Sequence, residues 1–195
     1  MDIAIWPLAL AFGYFMGAIP FGMILTRLAG AGDLRTIGSG NIGATNVLRT
    51  GRKGLAAATL LLDLAKGLAA VLVAEAIWPG SGASAGLGAF FGHLYPIWLK
   101  FRGGKGVATL MGIALGLYWP FGLIFALVWL GVLATTRYSS LGGISAAAAM
   151  PFAALALGRM DMLWVFLVTL LFVLWKHRAN IDRLFKGEEP KVGRS

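Results

Sequence analysis

GVATLMGIALGLYWPFGLIFALVWLGVLATT, residues 106–136, runs for 31 residues without a charge. A bilayer core is crossed by about 20 apolar residues, so this run is too long for one ordinary span. Near its middle stand Tyr118, Trp119 and Pro120. Aromatic rings favour the membrane interface and proline ends a helix, so the triplet reads as a tight turn between two helices. The first of these, 106–119, is then only 14 residues long and stops short of the full hydrocarbon thickness. A single tilted, kinked helix is the competing reading, and it changes the topology by one crossing.

Outward from this run the chain stays apolar: 58% of its residues are hydrophobic and its mean hydropathy is +0.80. Residues 3–26 and 162–175 are also free of charge. Seven apolar segments result, at about 3–26, 55–78, 81–99, 106–119, 120–136, 141–158 and 161–176. The expected fold is all-α, a polytopic membrane helix bundle forming one domain over residues 1–195. The first segment reads as a transmembrane helix rather than a cleavable signal, because Asp2 stands where a basic region belongs. Gly and Ala stretches such as 82–88 and 142–149 suit close helix approach. There is no internal repeat of the kind that marks inverted-repeat transporters.

The charges test the seven-span layout. With seven spans, 15 of the 17 basic residues fall on one side; Arg159 lies opposite and Lys66 lies within a helix. The positive-inside rule makes the rich side cytoplasmic, with the N-terminus outside and the C-terminus in the cytoplasm. The chain has no cysteine and only two histidines, so no metal site and no cofactor is expected. A formal charge of +9 suits anionic lipid or an anionic substrate, and membrane burial argues against nucleic acid.

Four loops on the basic side carry the polar chemistry: 27–54, 99–106, 136–143 and 176–191. The first contains Gly38, Ser39, Gly40, Asn41, Gly43, Ala44, Thr45, Asn46 and Arg49. Its glycines permit a backbone nest for an anion, and Arg49 offers a cationic fork suited to phosphate. No Gly-Lys-Ser/Thr closes it, so it is not a Walker A loop. The second gathers Lys100, Arg102 and Lys105 around Gly103, Gly104 and Gly106, just before a helix start that favours anions. In the last, His177, Asn180 and Ile181 or Leu184 share one face if the helix continues. Asp63 and Lys66, at i and i+3 inside the second segment, read as a structural ion pair, and His93 as a hydrogen-bonded structural histidine.

GSGNIGATNVLR at 38–49, GHLYPIWLKFRGGKGVAT at 92–109 and HRANIDRLFKGEE at 177–189 closely resemble the motifs of the bacterial acyl-phosphate:glycerol-3-phosphate acyltransferases, the PlsY family. TRYSSLGG at 136–143 is a weaker fourth match, its serine being Ser140 or the neighbouring Ser139. The resemblance implies an inner-membrane enzyme of seven spans that moves a fatty acyl group from acyl phosphate to glycerol-3-phosphate, making lysophosphatidic acid. It implies catalytic roles for Ser39, Arg49, His177 and Asn180. It also implies substrate binding by the first-loop backbone, by Thr45 and Asn46, by Gly103 to Gly106 and by Ser140. A soluble enzyme that makes acyl phosphate is the implied pathway neighbour, and a monomer is favoured.

The donor is already a reactive mixed anhydride, so proximity and charge stabilisation suffice without an acyl-enzyme. A Ser39–His177–Asp182 triad is the covalent alternative. His177 and Asp182 also spell the His-x4-Asp pattern of acyl-CoA-dependent acyltransferases, which carry it on a larger soluble domain. The rival from another class is a membrane carrier for an organophosphate.

Overall fold

The computed structural model describes residues 5–193. Ile3, where the first expected segment starts, and Arg194 of the basic set lie outside the described residues. The chain forms two compact units, Met1–Leu117 and Tyr118–Ser195.

The first unit holds α1 (Ile5–Gly17), α2 (Phe21–Leu28), α3 (Ala44–Leu48), α4 (Lys53–Ile77), α5 (Gly82–Leu94) and α6 (Val107–Leu117). The second holds α7 (Trp119–Thr136), α8 (Ser139–Ala156), α9 (Met160–Lys176) and α10 (Arg178–Phe185). Among the described residues there is no strand. The long apolar run does part into two helices, with Tyr118 extended between them and Pro120 in the first turn of α7. Proline fits there because its missing N–H has no partner in a first turn.

Each of the seven expected segments contains a helix. Among the described residues, four helices are long and apolar enough to cross a membrane, counting Ile5–Leu28 through its break, or five if the bent α9–α10 pair is one span. The helices α5 and α6 are shorter, with 13 and 11 residues. The expected end of the third segment at 99 is corrected to Leu94, because Pro96 cannot continue the helix and holds its neighbour out of helical geometry. Large apolar side chains face outward from both units, among them Leu61, Leu127, Phe152 and Leu171, each more than 60% exposed. Such a surface suits hydrocarbon and not water.

The first expected segment is not one helix, for it breaks at Ala18–Pro20. Within a bilayer, freed backbone groups need partners from the protein itself. Here the Trp98 indole N–H donates to the Ala18 carbonyl at 2.6 Å, and the Lys66 ammonium donates to the Ile19 carbonyl at 2.8 Å. Lys66 is in turn paired with Asp63 at 2.7 Å, both side chains almost wholly buried, as their i, i+3 spacing leads one to expect.

α1 and α5 meet through small residues. A Cβ placed on Gly13 or Gly17 would stand 1.9 Å from the carbonyl of Ala85 or Ala89. On the facing helix, a Cβ on Gly88 or Gly92 would stand 2.0 or 2.1 Å from the carbonyl of Leu10 or Tyr14. Backbones this close gain dispersion contacts and leave no room for a side chain. Gly88→Val forces the two helices apart. Thermal unfolding in detergent should show it destabilised by about 1–3 kcal/mol or more; an unchanged Tm would refute this packing.

Candidate active site

In the first loop, local hydrogen bonds decide which groups are left to present. Asp33 caps a 3-10 turn, Leu34–Thr36, by accepting from the Arg35 N–H. Asn46, in α3, is buried, and its amide nitrogen lies 2.9, 3.0 and 2.8 Å from the carbonyls of Leu34, Ile37 and Asn41. Its Oδ1 accepts from the Ser39 N–H at 3.2 Å. The Gly40 N–H donates to the Ile37 carbonyl and the Gly43 N–H to Asn41 Oδ1. The amides of Ser39, Gly40 and Gly43 are thus used inside the loop, which corrects the expectation of a nest built on them. Glycine permits the turn itself, since Gly38 and Gly40 have φ of 51° and 68°. What the loop presents is side chains. Ser39, Thr45 and Arg49 are exposed, and the Arg49 guanidinium lies against Gly38, where a Cβ would stand 2.6 Å from Nη1.

The second loop folds back on the C-terminal end of α5. After the turn Ile97–Leu99 come Lys100 and Phe101, both left-handed at φ 51° and 61°. Such conformations cost about 1 kcal/mol or more in residues with a side chain and persist where surrounding contacts enforce them. Four hydrogen bonds do so here: Lys100 N–H to Ile97, Phe101 N–H to Pro96, Arg102 N–H to Leu99 and Gly103 N–H to Leu94. The Gly104 N–H donates to the His93 carbonyl at 3.0 Å. Gly106, at φ 83°, packs under the Phe90 ring and leads into α6. Lys105, half-buried, stands between these two fixed points.

The second unit builds a cluster around a glutamate. Glu189 Oε1 accepts from Ser140 Oγ and from Asn180 Nδ2, each at 2.6 Å, and Oε2 accepts from Arg183 Nε at 2.7 Å. Burial pushes the Glu189 carboxyl up, but these three hydrogen bonds and the Arg183 charge outweigh it and hold the group below the usual carboxylate range. Farther along the same tail, the Val192 N–H donates to the Arg137 carbonyl and Lys191 sits over the Tyr138 ring.

His177 marks a bend of 61° between α9 and α10, correcting the expectation of one continuous helix face. Its ring Nδ1 lies 2.8 Å from the Val173 carbonyl, with the ring buried. A carbonyl only accepts, so Nδ1 carries the proton and Nε2 of the neutral ring keeps a lone pair. Asp182 turns instead to Lys186 at 2.9 Å in an exposed pair, which gives the Asp182 triad and the His-x4-Asp pattern no support.

Residues 7–187 match the family model described as glycerol-3-phosphate acyltransferase. The chain belongs to the glycerol-3-phosphate acyltransferase family. It is 58% identical over 187 residues to the glycerol-3-phosphate acyltransferase of Nitrobacter winogradskyi, covering 95% of each chain. It is 58% identical over 186 residues to that of Mesorhizobium japonicum, again covering 95% of each. Its fold is similar to the crystal structure of PlsY, an integral membrane glycerol 3-phosphate acyltransferase. The glycerol 3-phosphate form of that protein gives a TM-score of 0.91 at 35% identity, covering 96% of both chains. The lysophosphatidic acid form gives 0.88 at 34% identity, covering 96% of this chain and 95% of the other.

Against this family background the residues picked out by sequence sort into three groups. Gly38, Ser39, Asn41, Asn46 and Arg49 come together in the first loop, with the Asn46 amide turned into it. Gly103, Gly104, Lys105 and Gly106 lie together at the end of α5. Ser140 and Asn180 share Glu189, and His177 adjoins them in the chain at the head of α10. Of the two candidate serines, Ser140 is the one whose hydroxyl donates to Glu189. Glu189 closes a quoted motif, but nothing in the local pattern announces partners 49 and 9 residues away.

Two predictions follow from this geometry in this family. Gly38→Ala displaces Arg49, crowds Asn46 Oδ1 and strains a left-handed residue, so acyl transfer should fall about tenfold or more and stability by about 1 kcal/mol; normal activity would mean Arg49 does not act from this position. Glu189 is held below its ordinary value, so its stabilising effect is complete above the unfolded glutamate pKa of about 4.3 and is lost as pH falls through the lowered folded value. The Tm gap between wild type and Glu189→Gln should therefore be constant at neutral pH and close only below about pH 4.

Proposed function

We propose that the chain transfers a fatty acyl group from acyl phosphate to the 1-hydroxyl of glycerol-3-phosphate, giving lysophosphatidic acid and inorganic phosphate. Membership of the family supports the acceptor. The observation that carries the donor is Arg49 laid over Gly38 beside exposed Ser39, in a loop where the Ser39, Gly40 and Gly43 amides are bonded internally. A side-chain clamp of this kind fits a small phosphate head, which guanidinium recognises through paired N–H groups. Lys105, held between Gly104 and Gly106, supplies a second cation for the phosphate of glycerol-3-phosphate. Ser140 and Asn180, ordered by Glu189, are assigned to substrate binding in the second unit.

The chemistry needs no acyl-enzyme. The 1-hydroxyl oxygen attacks the carbonyl carbon, a new ester C–O bond forms, and the anhydride C–O bond to phosphate breaks. The electron pair leaves on phosphate, where Arg49 offsets the growing charge. The hydroxyl proton goes to His177 Nε2 or to a substrate phosphate oxygen. The whole chain acts as one enzyme in the inner membrane, N-terminus outside and C-terminus cytoplasmic, on the evidence of its basic loops. A soluble enzyme that makes acyl phosphate is its pathway neighbour, and one copy suffices for the reaction.

Purified protein should form lysophosphatidic acid from radiolabelled glycerol-3-phosphate with acyl phosphate, and none with acyl-CoA or acyl carrier protein. Arg49→Ala should lower that rate by about 100-fold or more while folding normally, and His177→Ala with full activity would assign the proton to the substrate phosphate. Transfer from acyl-CoA would overturn the donor assignment. No product from any donor would favour a carrier.

A further inference from the structure

Inside the first unit three titratable side chains from two helices meet behind the second loop. Asp63 and Lys66 of α4 are paired at 2.7 Å, and His93 Nδ1, from the last turn of α5, stands 3.6 Å from the same Asp63 oxygen. All three are at least 95% buried. A structural pair alone does not account for where their other ends reach. The Lys66 ammonium caps the Ile19 carbonyl at the break of the first span. The opposite edge of the His93 ring faces the second loop, where a Cβ on Gly104 would stand 2.0 Å from Nε2. The His93 carbonyl accepts the Gly104 N–H, and the next residue is Lys105.

We propose that Asp63, Lys66 and His93 form a positioning set that fixes the Gly103–Gly104 turn, and so sets where Lys105 meets the phosphate of glycerol-3-phosphate. The inference rests on the assignment of Lys105 to that substrate. Asp63 stands beside the imidazole at ion-pair distance, the ring fills the space against Gly104 that a side chain would need, and Lys66 ties the pair to the backbone break. Rigid support one layer behind a charged group sets its position closely, and losing such support weakens binding by roughly 10- to 100-fold.

The test is equilibrium binding of radiolabelled glycerol-3-phosphate to purified protein, with KM measured separately for each substrate. His93→Gln and the double variant Asp63→Asn/Lys66→Met, which removes both charges together and leaves no lone buried ion, should bind glycerol-3-phosphate about tenfold more weakly. Their KM for acyl phosphate should stay within about twofold, as expected when only the supported substrate group is displaced. In a Lys105→Ala background the same changes should weaken binding no further, since the group they position is gone. Lower Tm with unchanged glycerol-3-phosphate affinity would overturn the proposal, as would losses that add fully to that of Lys105→Ala. If the double variant does not fold, His93→Gln decides alone. Wild type that binds glycerol-3-phosphate but cannot use acyl phosphate would refute the donor and leave this test standing; wild type that does not bind it overturns both.

Discussion

Hydrocarbon offers no hydrogen bonds, so any backbone that leaves helical geometry inside it must be paired by the protein. The break at Ala18–Pro20 creates that obligation, and the first unit is arranged around meeting it. The Ala18 carbonyl takes the Trp98 indole, and the Ile19 carbonyl takes Lys66. An ammonium is costly at that depth without a counter-ion, which Asp63 supplies. The glycine contacts between α1 and α5 bring the two backbones together, and Tyr14 on α1 reaches the Tyr95 carbonyl just past α5. Loop, break and helix ends are thereby tied to one another through a few short polar contacts in an otherwise apolar interior.

The same economy governs the polar loops. Their glycines make tight turns, and the amides freed in turning are spent on holding the turn. On the function proposed, the two phosphates meet Arg49 on a loop locked by Asn46, and Lys105 on a loop locked to α5. A cation on a fixed backbone attracts an anion without reorganising, and this matters most where two negative substrates must be held together. In the second unit Glu189 plays the part that Asn46 plays in the first, gathering Ser140, Asn180 and Arg183 on one carboxylate.

Much of this was legible in the sequence. Apolar length and the Tyr118-Trp119-Pro120 triplet placed the helices, and i, i+3 spacing alone paired Asp63 with Lys66. The break in the first span was not read, although Pro20 stands within it, because the surrounding residues are uniformly apolar. The bend at His177 has no glycine or proline to announce it; it forms with the imidazole bonded to a carbonyl one turn back. Glycine content showed that the first loop can turn, but not where its N–H groups point, since that depends on the Asn46 side chain. Contacts between distant segments, such as Ser140 with Glu189, have no local signature at all.

The brevity of α6 has a consequence for the protein rather than for the lipid. Eleven residues rise only about 16 Å, roughly half of an average hydrocarbon core. Yet every residue of this helix is buried or half-buried, so hydrocarbon does not line it and the mismatch is taken up inside the protein. A Cβ on Gly67 or Gly112 would stand 2.3 or 2.0 Å from the carbonyl of Thr109 or Leu64, so α6 lies directly against α4. The 25-residue α4 supplies the length that α6 lacks, and the polar loop before α6 is held by protein rather than by lipid.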